Sequence, residues 1–387
     1  MSAAGPKVLH VTTTDISLEL LLGPQLEAFA AAGYEVVTAS APGPYVADVE
    51  ARGLRHIPLR NATRAMEPRK DAAALVELAR LFRAERPAIV HTHNPKPGWY
   101  GRIAAGVARV PVVVNTVHGL YATPDDAWPR RALVYGLERA ASCCSDAELV
   151  QSSEDVEVLR RLRVPERKLV TLGNGIDLQR FSPAADSDAR RRVRRELGLT
   201  DDQVVVGAVG RLVWEKGLRE VLDAAGRLRS LAPHVQLIVV GPIDEAKADG
   251  LTAEDLPRIE AETGVRFVGE RLDIEAVYAA LDVYVLASHR EGFPRSAMEA
   301  SAMGVPVVAS DIRGCRQVVD HEVTGLLFPV RDGAALADAI ARVAADPVWR
   351  AELGAAAMAK AAADFDQETC IRITLDTYER LLAGRSR

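Results

Sequence analysis

The chain has 387 residues, 48% hydrophobic and 26% charged, with 48 Lys and Arg against 53 Asp and Glu for a formal net charge of −5. That length and apolar content supply two or three sizeable cores, which excludes a disordered chain, and the 28 Gly and 21 Pro exclude a collagen-like one. The acidic balance argues against a dedicated nucleic-acid binder, which carries a basic domain.

The opening MSAAGPKVLHV runs straight into a strand at 7–11 without the apolar segment of a secretory signal. Further strands are expected at 34–39, 88–92, 111–117 and 149–151. Helical spacing between them predicts helices over 18–32, 72–85 and 129–141, with Leu75, Leu78, Ala79 and Phe82 on one face of the second. The apolar run at 110–124 contains Asn115, His118 and two prolines and is too short to span a bilayer, so a cytoplasmic protein is expected. Strands alternating with crossover helices imply a doubly wound parallel sheet. Gly, Asn, Asp, Ser and Pro then gather at 172–186, which reads as a linker. A short Arg-rich helix near 190–195 leads into strands at 204–209, 235–240, 265–268, 283–286, 305–309 and 326–328, a second sheet of the same kind, and helices follow at 333–345 and 368–382. The expected division is 1–177 and 178–364, each a Rossmann-like α/β domain, with a C-terminal helix in 365–387 packing back toward the first. Cys143, Cys144, Cys315 and Cys370 form no C-x-x-C pair and read as idle thiols.

Ligands in such sheets collect beyond the carboxyl ends of the strands, and two segments there carry chemistry. The first is GAVGRLVWEKG at 207–217, where a strand ends at Gly210 and Arg211 and a helix begins near Gly217. Helix-start N–H groups with Arg211 and Lys216 beside them suit an anion, although two surface cations at a helix start would read the same way. The spacing fits neither G-x-G-x-x-G nor a P-loop. The second is EGFPRSAME at 291–299, whose helix should start near Pro294. Glu291 and Glu299 offer acceptor oxygens to paired sugar hydroxyls, and the amides of Gly292 and Phe293 could hold a phosphate. A solvated helix face is the plain alternative for Glu299, against which stand its apolar neighbours Ala297, Met298, Ala300 and Met303. Diol-gripping acids beside an anion site suggest a sugar nucleotide.

On these residues the chain resembles the retaining glycosyltransferases of family 4, of GT-B fold, two Rossmann-like doubly wound parallel sheets facing across a cleft. Glu291 and Glu299 match the family's E-x7-E element, Arg211 and Lys216 its G-R-x4-K-G element, and Asn174-Gly175-Ile176-Asp177 its N-G-[VI]-D segment. The resemblance implies an acceptor-side first domain and a donor-binding second one. It implies that Arg211 and Lys216 bind the donor diphosphate, Glu299 the ribose, Glu291 with Gly292 and Phe293 the donor sugar and phosphate, and that His118 in VNTVHG reaches the sugar near its anomeric carbon. His118 by itself is only a strand-end histidine. HTHNPKPG at 91–98, TVHGLYAT at 116–123 and DIRGCRQVV after the second acid are similar to the bacterial branch that builds capsule, O-antigen and lipid-linked oligosaccharide precursors. That implies UDP-linked sugars, often N-acetylated hexosamines, polyprenyl-diphosphate acceptors, and no cofactor besides the nucleotide sugar. Arg271 is a weak candidate for contacting the base.

The family's first loop often carries paired glycines, where this chain has Thr12, Thr13, Thr14 and Asp15, so that loop's role stays open. Asp15 as a general base would suit an inverting enzyme of the same fold. A nucleotide-sugar epimerase and a catalytically silent sugar-nucleotide-binding scaffold are further alternatives. His91, His93 and His118 could converge on a metal, but with cations already supplied none is expected. Arg52, Arg55, Arg60, Arg64, Arg69 and Lys70 surround the single acid Glu67, a solvated loop or a contact for an anionic membrane on the cytoplasmic face. The Arg-rich helix carries the same two readings.

Overall fold

The structure is a computed structural model that describes residues 5–63, 66–93, 95–122, 126–183, 186, 188–243 and 251–385. Asn94, Thr123 and Arg64 of the segments above lie outside the described residues. The chain divides into two units, residues 1–173 with 368–387, and residues 174–367.

In the first unit, strands β1 (Lys7–Thr14), β2 (Glu35–Ala41), β3 (Arg55–Pro58), β4 (Ile89–His93), β5 (Val112–Val117), β6 (Ala147–Val150) and β7 (Leu169–Thr171) form one parallel sheet in the order β3-β2-β1-β4-β5-β6-β7. Helices cover both faces, so the central strands are buried on both sides: every residue of VVVNTV in β5 is buried. Successive side chains serve opposite cores. Val8, Ile89, Val112 and Val114 pack with Phe29 on one side, and Leu9, Val11, Val90 and Val113 with Phe82 on the other. The helix Gln367–Arg385 adds Cys370, Ile371 and Tyr378 to the first of these cores.

Two strands escape the sequence pattern because they are short. RHIP in β3 is only partly buried, and LVT in β7 has no buried residue. The helix expected over 18–32 is two pieces, a wide i→i+5 turn at Ser17–Leu22 and an α-helix at Gly23–Ala31 with Pro24 in its first turn.

In the second unit, β8 (Val204–Val209), β9 (Val235–Val240), β10 (Arg266–Gly269), β11 (Val283–Leu286), β12 (Val307–Ser310) and β13 (Gly325–Phe328) form a parallel sheet in the order β10-β9-β8-β11-β12-β13. Val206, Val239 and Val285 face one core, while Val205, Ile238, Val240 and Tyr284 face the other. Between the two expected tail helices lies a third, Pro347–Asp364, capped by the Asp346 carboxylate, which accepts from Val348 and Trp349 N–H groups.

The boundaries fall at 173/174 and 367/368, where 177/178 and 364/365 were expected. The shift has a local cause. Ile176 bridges Asp366, its N–H donating to Phe365 O at 2.9 Å, and Gln367 N donates back to Ile176 O at 3.2 Å. The two crossing segments therefore pair with each other inside the second unit. A Cβ on Gly175 would lie 2.4 Å from Gln367 Cα, so only glycine admits that approach.

The Arg-rich helix, Ala189–Glu196, is an internal staple. Arg194 is buried and reaches Asp282 Oδ2 at 2.5 Å and Ala280 O at 3.1 Å, while Arg190 takes the other oxygen of Asp282 at 2.7 Å. Half of the basic stretch is paired within its own unit. Arg52 pairs with Glu19 and Glu27, Arg55 in β3 with Glu85, and Lys70 with Glu67. Arg60 and Arg69 are exposed.

Candidate functional site

The order of the second sheet reverses between β8 and β11, which makes their carboxyl ends the switch point where doubly wound sheets bind ligands. β8 gives way to Gly210 and Arg211, then a short turn Trp214–Lys216 and the helix Leu218–Leu231. Gly217 joins turn to helix at φ 74°, and a Cβ there would lie 2.0 Å from Ala287 O, so glycine is required both for the conformation and for the approach to the end of β11. Neither this helix nor Arg295–Ala302, entered through Pro294, has a side-chain N-cap. Each start keeps its positive dipole end and amides for another acceptor.

Lys216 Nζ meets Glu291 Oε1 at 2.6 Å, tying the loop after β8 to the loop after β11. Arg211 and Lys216 line one recess with Gly210 and Ala287, and Arg211 lies 3.7 Å from Glu215. The Glu291 backbone is wedged against Gly314, where a Cβ would come within 2.5 Å of its carbonyl oxygen. Asn174 Nδ2 donates to Phe293 O at 3.2 Å, so the N-G-I-D segment supports the same loop. His289 adds a further brace, its N–H on Glu215 O at 3.0 Å and Nε2 3.0 Å from Glu220 Oε1.

Glu299 sits in the first turns of Arg295–Ala302 and accepts from Tyr278 O–H at 3.1 Å, with Arg295 Nε 4.0 Å away. Burial pushes its carboxyl above the ordinary 4.5, offset in part by Arg295 and by the tyrosine bond. Tyr284, in β11, feels both Glu291 and Glu299, and burial together with those two charges raises its phenol. Tyr278 and Tyr284 were invisible as site residues in the sequence because each reads as a core aromatic. Only the strand face that Tyr284 shares with the following helix brings them to the acids. The Arg271 guanidinium is engaged by Asp273, at 2.8 Å, and by Glu196.

In the first unit, His118 follows β5 and is partly exposed, with Nε2 3.1 Å from His93 Nδ1. His93 Nε2 lies 3.0 Å from His10 Nδ1, while His91 meets Tyr378 Oη and, at 2.7 Å, Thr116 Oγ1. Burial drives His118 down to about 4, against a hydrogen bond to Gln151, and His10 down to about 3. His118 is thus a neutral hydrogen-bonding ring at pH 7. The imidazoles that converge are His10, His91 and His93, whose nitrogens lie within 4.8 Å of one another, rather than the set with His118. The His91 and His93 rings stack at 4.2 Å and 28°. His10, in β1, escaped the sequence reading because its only signal was a strand position opposite His91. Asp15 is 5% exposed and accepts from Tyr45 N at 2.7 Å, which spends it on the loop at 43–45.

Two Rossmann-like units, one carrying paired cations and acids at its switch point, define a GT-B glycosyltransferase. A family model described as Glycosyltransferase Family 4 matches residues 25–180, and one described as Glycosyl transferases group 1 matches 189–361. The UDP-Gal:alpha-D-GlcNAc-diphosphoundecaprenol alpha-1,3-galactosyltransferase of Escherichia coli is 34% identical over 72% of each chain. The capsular polysaccharide biosynthesis glycosyltransferase CapM of Staphylococcus aureus is 26% identical over 90% of each. The crystal structure of Anabaena HepE in complex with UDP and glucose superposes with a TM-score of 0.80, covering 97% of this chain and 100% of HepE at 21% identity, a likeness of fold. The chain belongs to glycosyltransferase family 4.

Proposed function

We propose that the protein transfers a sugar, with retention of anomeric configuration and without a metal, from a UDP-linked donor to a hydroxyl of a lipid-linked glycan in surface polysaccharide synthesis. The observation that carries this reading is the Lys216–Glu291 pair at the switch point, beside Arg211 and the two uncapped helix starts. Arg211 and Lys216 take the diphosphate, the amides of Gly292 and Phe293 the phosphate next to the sugar, Glu291 the sugar hydroxyls and Glu299 the ribose. As the bond to the anomeric carbon breaks, negative charge grows on the leaving diphosphate, where fixed cations and amides act most strongly. That oxygen takes the acceptor's proton on the same face, so no carboxylate base is needed. His118, neutral, positions the sugar by hydrogen bonding. The E. coli relative's donor and diphosphoundecaprenol acceptor, and UDP in the HepE complex, support the donor and acceptor classes. An N-acetylated hexosamine is the sugar to try first.

UDP at about 100 times its Kd should stabilise the protein by about 2.7 kcal/mol in a thermal-shift assay, with GDP and ADP giving less. Equal shifts for all three would remove the uridine assignment. NMR of the product's linkage then tests retention, and donor incubated alone exposes any epimerisation.

Glu299 gives the donor step a pH signature. Its raised carboxyl offers both oxygens as acceptors to the ribose hydroxyls only when ionised, and protonation turns one of them into a donor, so donor KM should rise as pH falls, beginning above 4.5. Glu299→Gln should flatten that limb of the profile, and a limb unchanged in the variant would assign it elsewhere. The stability linkage has the opposite sign. The folded state holds this proton more tightly than the unfolded one, so the group's stabilisation is full below its unfolded value and is lost as pH rises through the raised one.

A further inference from the structure

Residues partnered across parallel strands share a sheet face. His10 stands opposite His91 in the register of β1 and β4, and His93 opposite Thr116 in that of β4 and β5, so these four lie on the face that Phe29 and Tyr378 cover. His91 is held to one side, with Nδ1 on Tyr378 Oη and Nε2 on Thr116 Oγ1. The other imidazoles form a line: His10 Nδ1 lies 3.0 Å from His93 Nε2, and His93 Nδ1 3.1 Å from His118 Nε2. Burial holds His93 well below the ordinary 6.5 and His10 at about 3, so both are neutral at pH 7. A neutral imidazole has one N–H and one bare nitrogen, so His93 donates at one end and accepts at the other. The inner end decides the direction. His10 is fully buried, and its Nε2 has no hydrogen-bond partner among the described residues. A line running inward would leave an N–H there, the rarer kind of orphan in a core. With a bare Nε2 instead, His10 Nδ1–H donates to His93 Nε2 and His93 Nδ1–H to His118 Nε2, and the one proton of His118 sits on Nδ1. The bond between His118 and Gln151 agrees, because it favours the charged ring and is therefore one that His118 donates.

We propose that His93 is a positioning residue for transfer: by donating Nδ1–H to His118 Nε2, it fixes the His118 ring and makes it a hydrogen-bond donor, through Nδ1–H, to the sugar. The line ends inside the core at His10, so it carries no proton to water. What it supplies is one tautomer and one ring orientation, as the partner on the second nitrogen does for other functional histidines. His10 holds His93 by the same means one step further in, and is itself stacked on Phe29 at 5.5 Å and 11°. A sugar oxygen can take the place of Gln151 at the His118 N–H. This role rests on the proposed contact between His118 and the sugar, but the tautomer of His118 is read without any substrate.

The test is nitrogen–proton correlation NMR of the imidazoles in the whole chain labelled at histidine, assigned with single variants, which observes the proton positions directly. In the parent, His118 should show the Nδ1–H form. His93→Phe keeps a ring in the core but removes both nitrogens, so His118 should relax to a mixture of tautomers and kcat should fall by about tenfold, with donor KM little changed. His93→Asn places an amide N–H where Nδ1 stood, and should restore the Nδ1–H form and most of the rate. The UDP-induced thermal shift and the calorimetric transition of the first unit show that the variants are folded. A parent His118 protonated on Nε2, a tautomer unmoved by His93→Phe, transfer by His93→Phe at the parent rate, or an equal loss in the Phe and Asn variants overturns the proposal. Transfer at the parent rate by His118→Ala overturns the contact of His118 with the sugar instead, while the spectra still report the line of imidazoles.

Discussion

Lys216→Ala should lower kcat/KM by about 100-fold or more, with most of the loss in kcat, measured by steady-state transfer from the UDP-sugar donor. Lys216 is held by the turn that ends β8 and by Glu291 at 2.6 Å, so its ammonium is placed before substrate arrives. A cation of that kind stabilises charge that develops in the transition state more than charge already present in the donor. Truncation also leaves the Glu291 carboxylate without its counter-ion beside the diphosphate, adding repulsion to the lost attraction. The double variant Lys216→Ala, Glu291→Ala should therefore lose less than the product of the two single losses. Lys216→Arg should not restore full rate, because a planar fork does not occupy the place of a compact ammonium. Transfer by Lys216→Ala at the parent rate would refute the site.

The largest stability effect is expected at Arg102. Its guanidinium is fully buried and bonds Glu138 Oε1 at 2.6 Å and Glu148 Oε1 at 2.7 Å, and Asn115 Nδ2 and Trp99 Nε1 complete those carboxylates at 2.8 and 2.9 Å. Arg102→Ala leaves two buried acids without a cation, a change that costs about 3–5 kcal/mol. In a unit of this size the unfolding midpoint should fall by about 6–20 °C, read by calorimetry as the transition of the first unit. Adding Glu148→Gln to Arg102→Met should recover part of the loss, since the remaining charge is then smaller. An unchanged midpoint would show that water or a proton already neutralises the pair. The network also bears on function, because Arg102, Glu138 and His118 line one recess.

Much of the second unit's site was legible because it is written in contiguous segments. Arg211 and Lys216 fall within one strand–turn–helix passage, and Glu291 and Glu299 within another, so motif and contact nearly coincide. The helix start at Pro294 could be read because proline is favoured in a first turn and needs no N–H donor there. The first unit was less legible. His10 and His93 come from two strands and His118 follows a third, and what joins them is the register of β1, β4 and β5, which no local spacing records. The basic stretch shows a related effect: Arg52 and Arg55 are paired by Glu19, Glu27 and Glu85, residues brought near by the packing of other elements. The pairing of Arg271 with Glu196, 75 residues away in sequence, was hidden for the same reason.

The amino-acid sequence by itself determined the alternation of strands and helices, the two-sheet plan and the residues at the carboxyl ends of β8 and β11, because hydrophobic period, glycine, proline and paired charges act over a few residues. The tertiary structure alone decided which charges are spent on one another, which tyrosines stand beside the acids and which imidazoles bond in line. Those outcomes depend on strand order and register, and burial converts a side chain's chemistry only after distant segments have packed around it.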